Sequence, residues 1–151
     1  FSKFAVEFNN LINGKWKIIY KLHPGEYANW KKRYPWLVNS GIEVVDSLRH
    51  NIYEYFAVSN VQVGVSSTAI FEGLGFGLDT FIFNTVSAEC MKQLCQDGFA
   101  AEVNSAKELA DKLEKNIKSK KNKDKLFWKE NAFNNLCVEI NKCIDSTTAC
   151  S

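Results

Sequence analysis

The feature that most constrains this chain is an alternation. Short apolar runs of strand character are followed repeatedly by stretches with helical spacing. The runs are WKIIYKL at 16–22, Ile42–Asp46, VQVGV at 61–65, DTFIFN at 79–84 and AAEV at 100–103. Helical spacing fills the intervals, over 26–36 (broken at Pro35), 51–59, the segment after Val65, and 88–97. A first helix comes before the first run, with Phe1, Phe4, Phe8, Leu11 and Ile12 in register and Gly14 as its stop. Ser105 caps a further helix with Leu109, Leu113 and Ile117 on one side, and a last helix carries Phe133, Leu136, Cys137, Ile140 and Ile144. Such alternation requires crossover connections, which make neighbouring strands parallel and place helices on both faces. The strands are continuous apolar runs, as expected for a sheet covered on both sides. The predicted fold class is α/β: a Rossmann-like three-layer α/β/α sandwich with a mainly parallel sheet of about five or six strands. The 151 residues are read as a single domain spanning 1–151.

Composition narrows the function classes. A formal charge of +2 gives no footing for nucleic acid, and no apolar run approaches the length of a membrane span. There is no basic-then-apolar leader. The chain opens on Phe1 inside a helical pattern, so it is expected to be part of something longer. Five cysteines without a C-x-x-C pair, beside only two histidines, argue against zinc and favour a reducing, cytoplasmic compartment. The stretch KSKKNKDK at 118–125 reads as a solvated connection.

In an open parallel sheet, ligands bind beyond the carboxyl ends of the strands, where the winding reverses. With strand order 2-1-3-4-5 the reversal falls between strands 1 and 3, so His23 and Ser66 would face each other across one crevice. GVSSTAIFEGLGFG at 64–77 fits neither the G-x-G-x-x-G nor the P-loop pattern. Its front, however, puts Ser66, Ser67 and Thr68 at a helix start. There, free backbone N–H groups and a partial positive charge suit a phosphate. A single hydroxyl would do no more than cap the helix. Glu72 lies four residues after Thr68 on the same face, one turn or about 5.4 Å further on, where a carboxylate can accept from ribose hydroxyls. Ile70, Phe71 and Leu74 are left to pack on the sheet. His23 closes strand 1 before Pro24 and can donate to a phosphate near neutral pH. His50 lacks that setting.

KLHPGE at 21–26 followed by GVSSTAIFEGLGFG at 64–77 resembles the C-terminal, nucleotide-binding domain of GT-B glycosyltransferases. The likeness is closest to bacterial capsule and sialic-acid transferases, which carry a His-Pro and a Ser-Ser or Ser-Thr motif. Teichoic-acid polymerases share a similar pair. It covers roughly Trp16 to Leu113. The resemblance implies an inverting, metal-independent transferase of bacterial surface polysaccharide synthesis that uses a CMP-, CDP- or UDP-linked sugar and no cofactor. His23 would touch the donor phosphate and assist departure of the nucleotide, Ser66, Ser67 and Thr68 would hold the phosphate, and Glu72 would bind the ribose. The loop Asp46–Arg49 would lie near the base, and Gly77 would make the turn before strand 4. Many relatives have a proline after that glycine, whereas Leu78 and Asp79 follow here. The catalytic base and acceptor site would belong to an absent N-terminal domain, leaving this chain inactive alone.

Other readings stay open. They are a sugar-nucleotide epimerase or a polyol-phosphate transferase of the same fold, or a non-catalytic interaction domain. The basic aromatic cluster of Trp30, Lys31, Lys32, Arg33, Tyr34 and Trp36, or the lysines of 118–125, would then meet an acidic polymer or a membrane surface peripherally, at the inner membrane face.

Overall fold

The computed structural model describes residues 1–115 and 130–148, with side chains to Lys142. Ile117, the 118–125 segment, Cys150 and the side chains of Cys143 and Ile144 lie outside the described residues. Five strands and seven α-helices are formed among the described residues. In chain order they are α1 (Ser2–Ile12), β1 (Ile19–Lys21), α2 (Trp30–Arg33), β2 (Glu43–Val45), α3 (Ile52–Ala57), β3 (Val61–Gly64), α4 (Ala69–Gly75), β4 (Asp79–Phe83), α5 (Lys92–Gln96), β5 (Ala101–Val103), α6 (Ala106–Glu114) and α7 (Ala132–Thr148). Short 3-10 helices at Pro24–Glu26, Pro35–Leu37 and Val86–Met91 fill three of the connections.

The chain is mixed α/β with parallel strand pairing throughout. The five strands do not make one sheet. β1 pairs with β2, and β3, β4 and β5 form a separate ladder in that order. The expected neighbours within each half are present, but the β1–β3 pairing implied by the order 2-1-3-4-5 is not formed. β1 is cut to three residues because His23 and Pro24 turn the chain and Pro24 has no N–H to give a ladder. Little extended backbone is left for a second partner. Side chains join the halves instead. Ile18 packs into the cores of both ladders, and the Phe1 ring lies 5.9 Å from Tyr20 of β1 and 6.1 Å from Phe83 of β4.

The three-stranded ladder is covered on both faces. Successive residues of β4 point to opposite sides. Phe81 belongs to a core with Phe4, Phe8 and Ile12 of α1 and Ala106 and Leu109 of α6, while Ile82 belongs to another with Ile70 and Leu74 of α4 and Leu94 of α5. A smaller core of Ala5, Leu22, Trp30, Leu37 and Ile42 sits against β1 and β2. Helix ends follow local chemistry. α1 stops at Asn13 and Gly14, both left-handed, and the Ser105 hydroxyl caps α6 by accepting from the Glu108 N–H at 3.1 Å. On α3 and just beyond it the half-buried residues are Ile52, Tyr55, Phe56 and, past the helix end, Ser59, the face expected from spacing. The last helix differs: Phe133, Leu136 and Ile140 are about half exposed or more.

Candidate functional site

The carboxyl end of β1 is built as a small polar device. His23 caps the 3-10 helix Pro24–Glu26, and its Nδ1 accepts from the Gly25 N–H at 3.2 Å. In return Glu26 Oε2 accepts from the His23 backbone N–H at 3.2 Å. This reciprocal capping box spaces the two side chains three residues apart. With Nδ1 used as an acceptor, the neutral imidazole carries its proton on Nε2, the atom left for a ligand. Glu26 is the hub behind it. Its Oε1 accepts from the Tyr34 hydroxyl in a short contact, and the Arg33 guanidinium lies 3.4 Å away. The Tyr34 hydrogen bond, the His23 N–H and the Arg33 charge outweigh partial burial and hold the Glu26 carboxyl below its ordinary value of 4.5. The same bond raises the Tyr34 phenol. Nearby, Tyr20 is pushed up to about 12, first by burial and then by the charges of Tyr34 and Glu26. Sequence reasoning singled out His23 as a site residue but gave Glu26 and Tyr34 no part beside it. The signal was the interval from His23 to Glu26, a capping-box spacing.

At the carboxyl end of β3, two glycines let α4 lie close to the sheet. A Cβ on Gly64 would stand 2.7 Å from Ile70 Cδ1, and one on Gly73 would stand 2.1 Å from Gln62 Oε1. Gln62 and Thr80 are register partners on the α4 face. The Gln62 amide donates to the Ile70 carbonyl at 2.8 Å and to Thr80 Oγ1 at 2.9 Å, and the Thr80 hydroxyl donates to the Leu78 carbonyl at 2.9 Å. This buried polar clamp ties α4 to β3 and β4. The far end of α4 closes in a Schellman pattern: the Leu78 N–H donates to the Gly73 carbonyl and the Gly77 N–H to the Leu74 carbonyl, with Gly77 at φ 76°. Gly77 is thus the turn before β4, as expected.

The three hydroxyls in front of α4 divide. Ser67 Oγ accepts from the Ala69 N–H at 3.2 Å, so it caps the helix. Ser66 and Thr68 are exposed, and their hydroxyls form no hydrogen bond among the described residues. Glu72 sits one turn into α4, its N–H donating to the Thr68 carbonyl at 3.5 Å, so the two share a face. It is half-buried, and its carboxylate forms no hydrogen bond or ion pair among the described residues. Ile70 and Leu74 are buried as expected, but Phe71 is 37% exposed.

His23 and the Ser66–Thr68 segment both leave the carboxyl ends of parallel strands, on different ladders. No hydrogen bond joins them among the described residues. The loop expected near a base, Asp46–Arg49, is exposed, and its Asp46 carboxylate already accepts from the Trp30 indole N–H at 2.7 Å. A further polar cluster, unforeseen in the sequence, lies at the ends of β4 and β5. There the Asn84 amide donates to Glu102 at 3.0 Å and to Asn104 at 2.9 Å, and Asn104 donates to Glu108. A groove of about 300 Å³ lies at the other end of the strands, beside Trp16. Leu11, Ile12, Ala110 and Leu113 also line it, and the Lys15–Glu114 pair spans 3.0 Å at its rim. Its lining mixes apolar side chains with this engaged charged pair, and it shares no residue with the candidate site. Among the described residues no His, Cys, Asp or Glu cluster of metal-ligand size is formed, and no helix is long and apolar enough to cross a membrane.

Comparison of the chain with protein-family models, with curated proteins and with solved structures returned no match.

Proposed function

We propose that this chain is the nucleotide-sugar-binding domain of a metal-independent, inverting GT-B-type glycosyltransferase of bacterial surface polysaccharide synthesis. In this reading the two ladders are halves of one Rossmann-like α/β/α unit, and the donor's phosphate lies between their carboxyl ends. One observation carries the proposal: beyond the carboxyl ends of β1 and β3 stand polar atoms that form no hydrogen bond among the described residues and that suit a nucleotide. They are the Ser66 and Thr68 hydroxyls, the Glu72 carboxylate one turn away, and the outward Nε2–H of His23. The hydroxyls would hold phosphate oxygens, the carboxylate would accept from two ribose hydroxyls, and His23 would donate to the leaving phosphate as charge develops on it. The acceptor site and catalytic base would come from a second domain, so nucleotide binding, and not sugar transfer, is the activity of this chain alone.

The test is calorimetry with CMP, CDP, UDP and GDP, at protein concentrations that detect a Kd of about 1 mM. One of the four is expected to bind, and His23→Ala, Thr68→Val and Glu72→Gln should each weaken it by about tenfold, the loss of one hydrogen bond to a charged group. Absence of binding by all four, or affinity indifferent to all three variants, refutes the assignment.

A further inference from the structure

The carboxyl side of the β1–β2 half carries a surface that neither the core nor the proposed nucleotide site requires. The 3-10 helix Pro35–Leu37 packs on α1 and α2. Leu37 goes into the core, while Pro35, Trp36 and Val38 remain at the surface, with Trp36 37% and Val38 39% exposed. The Trp36 indole N–H donates to Ser2 Oγ at 3.0 Å, so its polar atom is satisfied within the protein and the exposed remainder of the ring is hydrocarbon. Cations lie beside this apolar tip and on α2, the helix packed against its 3-10 turn. Lys3 Nζ lies 4.9 Å from the centre of the Trp36 ring, and Lys31, Lys32 and Arg33 follow one another along α2, all exposed. Lys3, Lys31 and Lys32 form no ion pair among the described residues. The acids nearby are Glu26, already engaged by Tyr34 and Arg33, Asp46, which accepts from the indole N–H of Trp30 beneath Lys31, and Glu7, one turn from Lys3 on α1. Trp30, counted with this cluster in the sequence, is buried, and its N–H is held by Asp46.

We propose that this surface is a docking site for an anionic lipid bilayer. An apolar tip with Lys3 beside it and further cations on the adjoining α2 matches the bilayer interface: Trp36, Pro35 and Val38 enter among the headgroups while the lysines meet lipid phosphates. A soluble polyanion would engage the same lysines but would leave Val38 and Pro35 without a role. The geometry has a consequence for orientation. The N-terminus of α1 lies beside Phe83, the last residue of β4, so the docking surface is at the same end of the strands as His23 and Ser66–Thr68. Docking would place that end at the bilayer. The inference does not depend on what the site binds.

The experiment is co-sedimentation with vesicles of phosphatidylcholine alone and of phosphatidylcholine with about one-third phosphatidylglycerol, an anionic surface of the kind that attracts basic clusters. Binding is expected only to the anionic vesicles and should fall steeply as salt rises toward about 1 M, where the screening length is near 3 Å. Neutralising two exposed cations, in Lys31→Gln with Lys32→Gln, should weaken it about 30-fold, at roughly 1 kcal/mol for each basic residue near such a surface. These surface changes leave the core intact, which far-ultraviolet circular dichroism verifies. Brominated lipid should quench part of the tryptophan fluorescence, and that part should vanish in Trp36→Phe. Three results would each overturn the proposal: equal binding to both vesicle types, unchanged binding of the double lysine variant, or quenching that survives in Trp36→Phe. So would equal affinity for soluble heparin without competition between heparin and vesicles.

Discussion

Gly73→Ala isolates the contact that sets how deeply α4 sits. In an exposed helix this change would stabilise by about 0.5–1 kcal/mol, because glycine has more backbone freedom to lose. Here the new methyl carbon would fall 2.1 Å from Gln62 Oε1, 2.5 Å from Cδ and 2.7 Å from Nε2. Gln62 must swing away and give up its bonds to the Ile70 carbonyl and Thr80 Oγ1, at 2.8 Å and 2.9 Å. Two such bonds are worth roughly 2–3 kcal/mol together. The net expectation is destabilisation by about 1–2.5 kcal/mol, a fall in Tm of roughly 3–8 °C for a chain of this size. Urea unfolding followed by tryptophan fluorescence gives the measurement, and a double-mutant cycle gives the cause. In a Gln62→Ala background the obstruction is gone, so Gly73→Ala should become stabilising by about 0.5–1 kcal/mol. The coupling energy is then about 2–3 kcal/mol. If Gly73→Ala is neutral or stabilising in the native background, or if the coupling is below about 0.5 kcal/mol, the clamp does not set the depth of α4.

The hydroxyls ahead of α4 should separate by assay: Ser67→Ala should cost about 1 kcal/mol of stability because its Oγ caps the helix, whereas Ser66→Ala should leave the urea midpoint unchanged and weaken nucleotide binding in the calorimeter. The folded pKa values of Glu26 and Glu108 lie below 4.5, so the unfolded chain binds more protons in this range. Their stabilisation is complete above the ordinary carboxylate range and is lost as pH falls through it toward the lower folded values. The urea midpoint should therefore drop on acidification, less steeply in Glu26→Gln. Tyr20 runs the opposite way: its neutral form is held up to about pH 12, so its contribution is present below 10.0 and disappears as pH rises between the two values, which ultraviolet difference titration would show as a late phenolate absent in Tyr20→Phe. Among thiols, exposed Cys90 should react with a disulfide reagent well before Cys95, whose thiol burial pushes up.

The parts of the fold that were legible in the sequence depend on spacing along one segment. The strand-helix alternation, the buried Phe4, Phe8 and Ile12 of α1, the buried face of α4 at Ile70 and Leu74, and the caps at Ser105 and Gly77 are all local, and the structure has them. What was not legible depends on which segments meet. Gln62 is a polar interruption of an apolar strand, and nothing in VQVGV says that Thr80 lies opposite it or that Gly73 lies above it. The division into two ladders was likewise hidden, because continuous apolar runs do not state how many residues will find backbone partners. β1 has strand character over 16–22 but pairs over only Ile19–Lys21.

The site shows why a glycine-rich, hydroxyl-rich stretch is hard to interpret from composition. Most of GVSSTAIFEGLGFG is accounted for by folding alone. Gly64 and Gly73 make room for Ile70 and Gln62, Ser67 caps α4, and Gly77 turns the chain into β4. Subtracting those roles leaves Ser66, Thr68 and Glu72, and the same subtraction at HPGE leaves Nε2 of His23. These remainders stand on two ladders with no shared backbone hydrogen bond. Their separation is therefore set by packing, through Ile18 in both cores and through the rings of Phe1, Tyr20 and Phe83. Apolar contacts of this kind are non-directional and fix spacing by volume, so a change of side-chain size at Ile18 acts on the gap between the two proposed half-sites without touching either. Ile18→Ala should consequently weaken nucleotide binding beyond what its stability loss explains, whereas a change of equal cost in the α4–α5 core, such as Met91→Ala, should not.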